Sequence, residues 1–201
     1  MSRSSLTTAT EVLDLFERQA RPWLNVFEKN TCIEQTRVLI ECLKAFGVRA
    51  RPVGAKLHVV CPARGMQFVT GIAAEEAARG KKIAKSWIER KPPDNKHHVV
   101  ALVEDHILVD LTVAQASSPE SNFLIEPRML AAPSPEPIVI APDSHWRIKA
   151  NAALDDGTKF TIEWILTADE DWLDTLAWEP SHLWPLIHRI VHEMRKRDKC
   201  S

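Results

Sequence analysis

The sequence predicts an α+β fold in one domain of 201 residues, with helices packed on a mainly antiparallel sheet. Three observations lead to this class. Helical patterns cover residues 8–24, 31–46 and 181–200. Between them, short apolar runs alternate and are separated by Gly, Pro, Asn and Asp, as in hairpins. Apolar residues make up 45 % of the chain, which suffices for one core.

Two helices are predicted before the first strand. The first covers residues 8–24, with Thr10 as its N-cap and Pro22 closing or bending it. The second covers residues 31–46 and ends at Gly47, the residue type that most often closes a helix in a left-handed conformation.

The middle of the chain has strand character. Residues 48–61 predict strand structure with a turn near 52–54, where a proline and a glycine stand. Residues 71–90 predict an inserted helix that is followed by a loop. The runs "HVVALV" and "HILVDL" predict two strands of a tight hairpin that turns at Glu104 and Asp105.

The last part of the chain predicts a connection, a hairpin and a helix. Residues 117–145 are rich in proline and predict an extended surface connection. A hairpin with an Asp-Asp-Gly turn at 155–157 follows. The final helix is predicted to be capped by Ser181. Its predicted buried residues are Leu183, Ile187, Ile190, Val191 and Met194.

Charge and cysteine usage narrow the class of protein. With 26 basic and 27 acidic residues, the chain gives no electrostatic reason to expect nucleic acid or an anionic membrane as partner. Residues 1–20 lack the apolar core of a secretory signal, and no apolar stretch is long enough to span a bilayer. The four cysteines form no CxxC pair, which favours reduced thiols in a cytoplasmic protein.

Cys32 is the cysteine whose position suggests chemistry. It lies in the first turn of the second helix, where free backbone N–H groups and the helix dipole stabilise a thiolate. It also shares the face that packs on the rest of the protein. A free cysteine is more often a small buried hydrophobe, so position alone does not decide its role. The remaining cysteines, which lack this environment, are Cys42, Cys61 and Cys200.

His98 and Asp110 stand at the two ends of the predicted hairpin. With a two-residue turn, His98 faces residue 111, which places Asp110 within about one position of it. A carboxylate at this distance can fix the tautomer of an imidazole and stabilise its protonated form. His97 is the rival base, since neighbouring strand residues point to opposite faces and only one of the two histidines can face Cys32.

Three motifs carry a family resemblance: "CIEQTRVLIECLKAFGVRARPV", "HVVALV" and "DLT". In this order they resemble the transglutaminase-like branch of the papain-like cysteine enzymes, over about residues 30–115. The resemblance implies a papain-like core in which the Cys-bearing helix packs on the sheet, and residues 117–201 complete the single domain. It also implies Cys32 as nucleophile, His98 as base and Asp110 as the residue that orients the base.

The activity that the resemblance implies is cysteine-dependent acyl transfer or hydrolysis through a thioester intermediate. The substrate would be an amide, ester or thioester in a peptide, a protein or a small molecule, with no cofactor or metal. Leu111 follows the aspartate where protein-crosslinking members usually have proline, so crosslinking is not implied. The oligomeric state is not predicted.

Further residues are candidates for supporting roles. The backbone N–H of Cys32 is the first candidate donor to an oxyanion. A second donor is sought upstream among Trp23, Asn25 and Asn30. Thr112, and beyond it Gln115, are placed to contact the Asp110 carboxylate or to fill structural positions.

The sequence also allows alternatives to this enzyme. A metal site built from His97, His98, His106 and Asp110 is disfavoured because these side chains diverge. His188 and His192, at helical spacing in the last helix, favour a surface position over a metal site. A catalytically inactive binding module with the same fold, and a toxin or effector that modifies a protein with the same triad, remain alternatives.

Overall fold

The computed structural model describes residues 3–24, 32–70, 98–117, 122–125, 129–141, 146–168 and 180–198. The helices are α1 (Arg3–Leu24), α2 (Cys32–Lys44) and α3 (Trp184–Asp198). The strands are β1 (Ala50–Cys61), β2 (Met66–Thr70), β3 (His98–Val103), β4 (Ile107–Asp110), β5 (Leu130–Pro133), β6 (Arg147–Ala153) and β7 (Lys159–Thr167). The predicted α+β class is confirmed. The helix predicted over 71–90 and the loop after it lie outside the described residues.

All strands pair antiparallel in a single sheet with the order β5-β4-β3-β1-β7-β6. The long strand β1 is the centre, because β7 pairs along one edge while β3 and β2 pair end to end along the other. The outermost strands β5 and β6 also approach each other. The sheet is therefore strongly curved and nearly closed on itself.

Two apolar clusters lie on the two faces of this sheet. The inner cluster contains alternate residues of β1 and β7, among them Leu57, Val59, Ile162 and Trp164. The outer cluster joins the three helices to the opposite face of β3 and β4. This arrangement follows from strand geometry, since successive side chains point to opposite faces and both faces are covered here. As a result β3 is buried along its whole length.

A glycine closes helix α2, as predicted. Gly47 has a φ of 74°, and its N–H bonds the Lys44 carbonyl at 3.0 Å. The N–H of Val48 bonds the Leu43 carbonyl at 3.1 Å. These two bonds form the Schellman motif, which satisfies the last carbonyls of the helix and turns the chain into β1.

The predicted start of the first helix is wrong. Helix α1 begins at Arg3, and Thr10 lies inside it and donates its hydroxyl to the Leu6 carbonyl at 3.0 Å. The helix extends further because Leu6, Ala9 and the later apolar residues continue one face that packs on the outer cluster. Pro22 lies within the last turn of the helix.

The turn predicted near 52–54 is absent, and β1 runs through it as one strand. Pro52 is tolerated because it lies where β1 pairs with β3 but has no β7 neighbour. Gly54 is buried between Val99 and Thr167 as a ladder residue. The proline-rich connection also contains the short edge strand β5, which the proline content obscured.

The β3–β4 hairpin contains one residue more than predicted. Glu104 and Asp105 form the tight turn with φ angles of 51° and 58°, and the His106 N–H bonds the Val103 carbonyl at 3.0 Å. Val103 nevertheless pairs with Ile107, so His106 is an additional residue on one strand. The backbone carbonyl of His106 instead accepts a hydrogen bond from the N–H of the residue after β5 at 2.7 Å.

This additional residue decides on which face Asp110 lies. In the predicted pairing of His98 with residue 111, Asp110 would point to the opposite face from His98. Extending the observed register by one pair places Val100 opposite Asp110, and Val100 shares its face with His98. The predicted register is wrong, and the bulge puts both side chains on one face.

The C-terminal elements agree largely with expectation. The β6–β7 hairpin turns at Gly157, whose φ is 80°. Ser181 is not a helix cap, because it lies in the 3₁₀ turn Pro180–His182 that precedes α3. The five residues predicted to form the buried side of the final helix are all buried, and the first of them, Leu183, directly precedes α3. None of the helices in the described part of the chain has the length and apolar character needed to cross a membrane.

Candidate active site

Cys32, His98 and Asp110 meet where three elements begin or end. Cys32 is the first residue of α2, His98 the first residue of β3 and Asp110 the last residue of β4. Their exposed fractions are 7 %, 1 % and 1 %. The structure thus brings the three predicted site residues together in a buried position, at one end of the sheet.

Helix α2 is joined to β3 by both polar groups of a single residue, Val99. The Val99 N–H lies 3.2 Å from the Cys32 sulfur, and the Thr36 hydroxyl donates to the Val99 carbonyl at 3.0 Å. Strand β4 stops short of this position, so α2 supplies the hydrogen bonds that a neighbouring strand would otherwise make. The Cys32 sulfur thus accepts a hydrogen bond from the backbone of β3.

His98 lies between Asp110 and Cys32. Its Nε2 is 2.7 Å from Asp110 Oδ2, and its side chain also hydrogen-bonds the Cys32 thiol. Because Nε2 is directed at the carboxylate, Nδ1 is the nitrogen available to the sulfur. Burial by itself lowers the pKa of His98, but Asp110 and then Cys32 outweigh it and raise the pKa to about 10.

The Asp110 carboxylate receives four hydrogen bonds from residues in the described part of the chain. His98 Nε2 and Trp164 Nε1 both lie 2.7 Å from Oδ2. The backbone N–H and the hydroxyl of Thr112 lie 2.8 Å and 3.2 Å from Oδ1. Burial alone would raise the pKa of Asp110, but the charge of His98 and these donors hold it below its usual value.

The electrostatics therefore favour a buried imidazolium between a carboxylate and a thiol. A protonated His98 stabilises a thiolate on Cys32 and can return its proton to a leaving group. The carboxylate fixes which ring nitrogen faces the sulfur. This arrangement has the parts that nucleophilic catalysis by a thiol requires: a nucleophile, an acid–base group and a group that orients it.

Trp164 is the site residue that sequence reasoning missed as a partner of Asp110. Its place on the inner face was readable from the period-two pattern of residues 159–167. Its contact with Asp110 was not readable, because β7 and β4 are separated by β1 and β3 in the sheet. The contact exists because the sheet curves.

The other candidate residues have varied outcomes. Of the two roles left open for Thr112, the contact with the Asp110 carboxylate is the one observed. The Trp23 ring lies 4.5 Å from the Arg189 guanidinium and packs against the outer cluster. Four other candidates lie outside the described residues: Asn25, Asn30, His97 and Cys200. The side chain of Gln115 is likewise outside the described part of the chain.

The remaining thiols and histidines of the described segments do not form a second site. Burial raises the pKa of Cys42 to about 12, and the Cys61 sulfur faces the Lys159 carbonyl at 3.6 Å. His188 and His192 are exposed on α3. Among the residues that the structure describes, no three His, Cys, Asp or Glu side chains are grouped as metal ligands would be.

Comparison of the chain with protein-family models, curated proteins and solved structures gave no match.

Proposed function

We propose that this protein is a cysteine-dependent enzyme that hydrolyses or transfers acyl groups through a thioester on Cys32. The observation that carries the proposal is the continuous set of contacts from Asp110 through His98 to Cys32, all of it buried. A buried imidazolium–carboxylate pair of this kind destabilises a fold unless its hydrogen bonds are complete. Groups with strongly shifted pKa values concentrate at functional sites.

The first half of the proposed reaction is acylation. The Cys32 thiolate attacks the carbonyl carbon of an amide, ester or thioester, and the carbonyl electron pair moves to oxygen. The tetrahedral intermediate then expels its leaving group, which takes the proton from His98 Nδ1. The products of this half are a thioester on Cys32 and a neutral His98 that remains bonded to Asp110.

The second half regenerates the enzyme. Water or an amine attacks the thioester and gives its proton to His98, and the second tetrahedral intermediate expels the Cys32 thiolate. The backbone N–H of Cys32 supports both intermediates, since the first N–H groups of a helix have no partner within the helix. The acceptor decides between hydrolysis and transfer.

The first test measures iodoacetamide labelling of Cys32 between about pH 5 and 9 by peptide mass spectrometry. His98→Gln removes the imidazole and keeps a donor for Asp110. His58→Gln is the matched control, because His58 contacts Gln67 and Glu163 away from the triad. We expect Cys32 to react at pH 6 roughly tenfold faster in the wild type and in His58→Gln than in His98→Gln.

A second readout follows acylation itself. Incubation with p-nitrophenyl acetate and rapid acid quenching should leave an acetyl group on Cys32 in the wild type and not in Cys32→Ser. Equal labelling in wild type and His98→Gln, together with no acetyl group on Cys32, would rule out the enzyme. The domain would then be a binding module with the same fold.

A further inference from the structure

Trp164 is the most distant contributor to the site along the sheet. It lies in the middle of β7 and is fully buried in the inner cluster. Two strands, β3 and β1, separate β7 from β4 in the sheet order. Its indole nevertheless donates to Asp110 Oδ2 at 2.7 Å, so the side chain spans the concave interior of the sheet.

The four donors are shared equally between the two oxygens of the Asp110 carboxylate. Thr112 holds Oδ1 through its N–H and its hydroxyl. Trp164 and His98 share Oδ2. Thr112 alone would leave Oδ2 bound only to the group that must change its charge during catalysis. The rigid indole supplies a second, permanent donor to that oxygen.

We infer that Trp164 is a positioning residue that holds the Asp110 carboxylate ionised and directed at His98. This inference rests on the proposed function, because it assigns Trp164 a role in the same site. The indole N–H does not titrate, so its hydrogen bond is present whichever protonation state His98 adopts. Trp164 therefore keeps Asp110 in place during the half of the reaction in which His98 is neutral.

Removal of this donor has a predictable effect on pH dependence. Among the residues that the structure describes, the titratable groups that act on Asp110 and His98 are each other and Cys32. Trp164 is one of the groups that lower the pKa of Asp110, so its loss makes the carboxylate protonate at a higher pH. Once Asp110 is neutral, the imidazolium loses its counter-charge, and the thiolate on Cys32 loses its support.

The test compares Trp164→Phe with Trp146→Phe. Both changes keep an aromatic ring and remove one indole N–H, but the Trp146 indole donates to the Val139 carbonyl rather than to the site. Iodoacetamide labelling of Cys32 is followed from about pH 3 to 8 in both variants, wild type and His98→Gln. In Trp164→Phe we expect the acid side of the profile to move up by about one pH unit, and in Trp146→Phe to stay at the wild-type position.

Three other outcomes have separate meanings. A Trp164→Phe profile that coincides with wild type, or a labelling rate that falls equally at every pH, would overturn the inference. In that case Trp164 only fills the interior. A wild-type rate that is low and unchanged in His98→Gln would instead overturn the proposed function.

A measurement on the wild-type protein keeps the inference testable if Trp164→Phe does not fold. The assigned Trp164 indole N–H resonance in a ¹⁵N-labelled sample should change at the same pH at which Cys32 loses its reactivity. The Trp146 resonance should not change there. A Trp164 resonance that stays constant while the Cys32 reactivity changes would contradict a bond to a titrating carboxylate.

Discussion

Two cysteines of one helix differ in chemistry because of their surroundings. Cys32 begins α2 and contacts both the Val99 N–H and His98. Cys42 lies in the body of the same helix within the outer apolar cluster, where burial and then the charge of Glu41 raise its pKa to about 12. Burial therefore suppresses ionisation of the Cys42 thiol, whereas the Cys32 sulfur has the Val99 N–H and His98 beside it.

This contrast predicts selective alkylation within α2. At pH 8 we expect iodoacetamide to alkylate Cys32 in the folded protein at least about a hundredfold faster than Cys42. In about 6 M urea both should react at similar rates, which serves as the control. Comparable labelling of the two cysteines before unfolding, measured by peptide mass spectrometry, would mean that burial in the outer cluster does not protect Cys42.

At the scale of residues, local chemistry was predictable and remote partners were not. Cys32 could be singled out because the start of a helix is visible in the sequence, and Thr112 because it is two residues from Asp110. Trp164 contacts Asp110 from a distance of 54 residues along the chain. No pattern within either strand encodes that contact.

The element that positions the nucleophile is α2, and Thr36 fastens it to β3. The Thr36 hydroxyl donates to the Val99 carbonyl in a buried position, one helical turn after Cys32. Replacing it by an apolar side chain of similar shape leaves that carbonyl buried without the donor, and an unsatisfied group of this kind destabilises a protein by about 1–3 kcal/mol.

We therefore expect Thr36→Val to lower the free energy of unfolding by about 1–2 kcal/mol in urea denaturation. Thr10→Val is the matched control, since the Thr10 hydroxyl donates to the Leu6 carbonyl at an exposed position of α1. Its effect should stay within about 0.5 kcal/mol. Equal losses in the two variants would mean that the bond to Val99 does not hold the helix.

At the scale of elements, helices and hairpins were predictable, and their exact pairing was not. The Gly47 and Gly157 turns could be read because positive φ angles favour glycine. The bulge at His106 depends on contacts with the residue after β5, a strand hidden by its proline content. A one-residue change of register moves Asp110 to the other face of the sheet, so the bulge at His106 decides whether Asp110 can reach His98.

At the scale of the molecule, the buried pair of His98 and Asp110 links folding to pH. The pKa of His98 is raised from 6.5 to about 10, so its stabilisation is complete below pH 6.5 and is lost as the pH rises towards 10. The pKa of Asp110 is lowered from 3.8, so its stabilisation is complete above pH 3.8 and is lost on acidification. The pair stabilises the fold most between these two limits.

Urea denaturation from pH 3 to 10 should show this as a dome. We expect the wild type to lose roughly a few kcal/mol on each side of the dome, and the double variant His98→Gln/Asp110→Asn to lose less. The matched control is His58→Gln/Glu163→Gln, because that pair is 3.6 Å apart and partly exposed. Burial raises the pKa of Glu163, but Lys149 and Arg147 outweigh it and lower the pKa, so this control should lose a small part of the acid side of the dome and keep the alkaline side. A dome of equal depth in all three proteins would show that other groups cause the pH dependence.

The overall curvature of the sheet was also beyond the sequence. Alternation in β1 and β7 predicts that one face is buried, but the same pattern suits an open sheet packed on helices. The approach of β5 to β6 depends on the twist summed over six strands in the sheet order. The class of the fold could therefore be predicted, and the enclosed interior could not.

The two hydrogen bonds between α2 and the backbone of Val99 have a consequence for which substitutions evolution can accept at this position. Two of the bonds that hold the helix at β3 are made by the peptide groups of residue 99, which every amino acid except proline supplies in full. A replacement side chain must fit the space that residue 99 shares with Cys32 and Ile33. Val99→Ile should keep both hydrogen bonds, whereas Val99→Pro removes the N–H that is directed at the Cys32 sulfur.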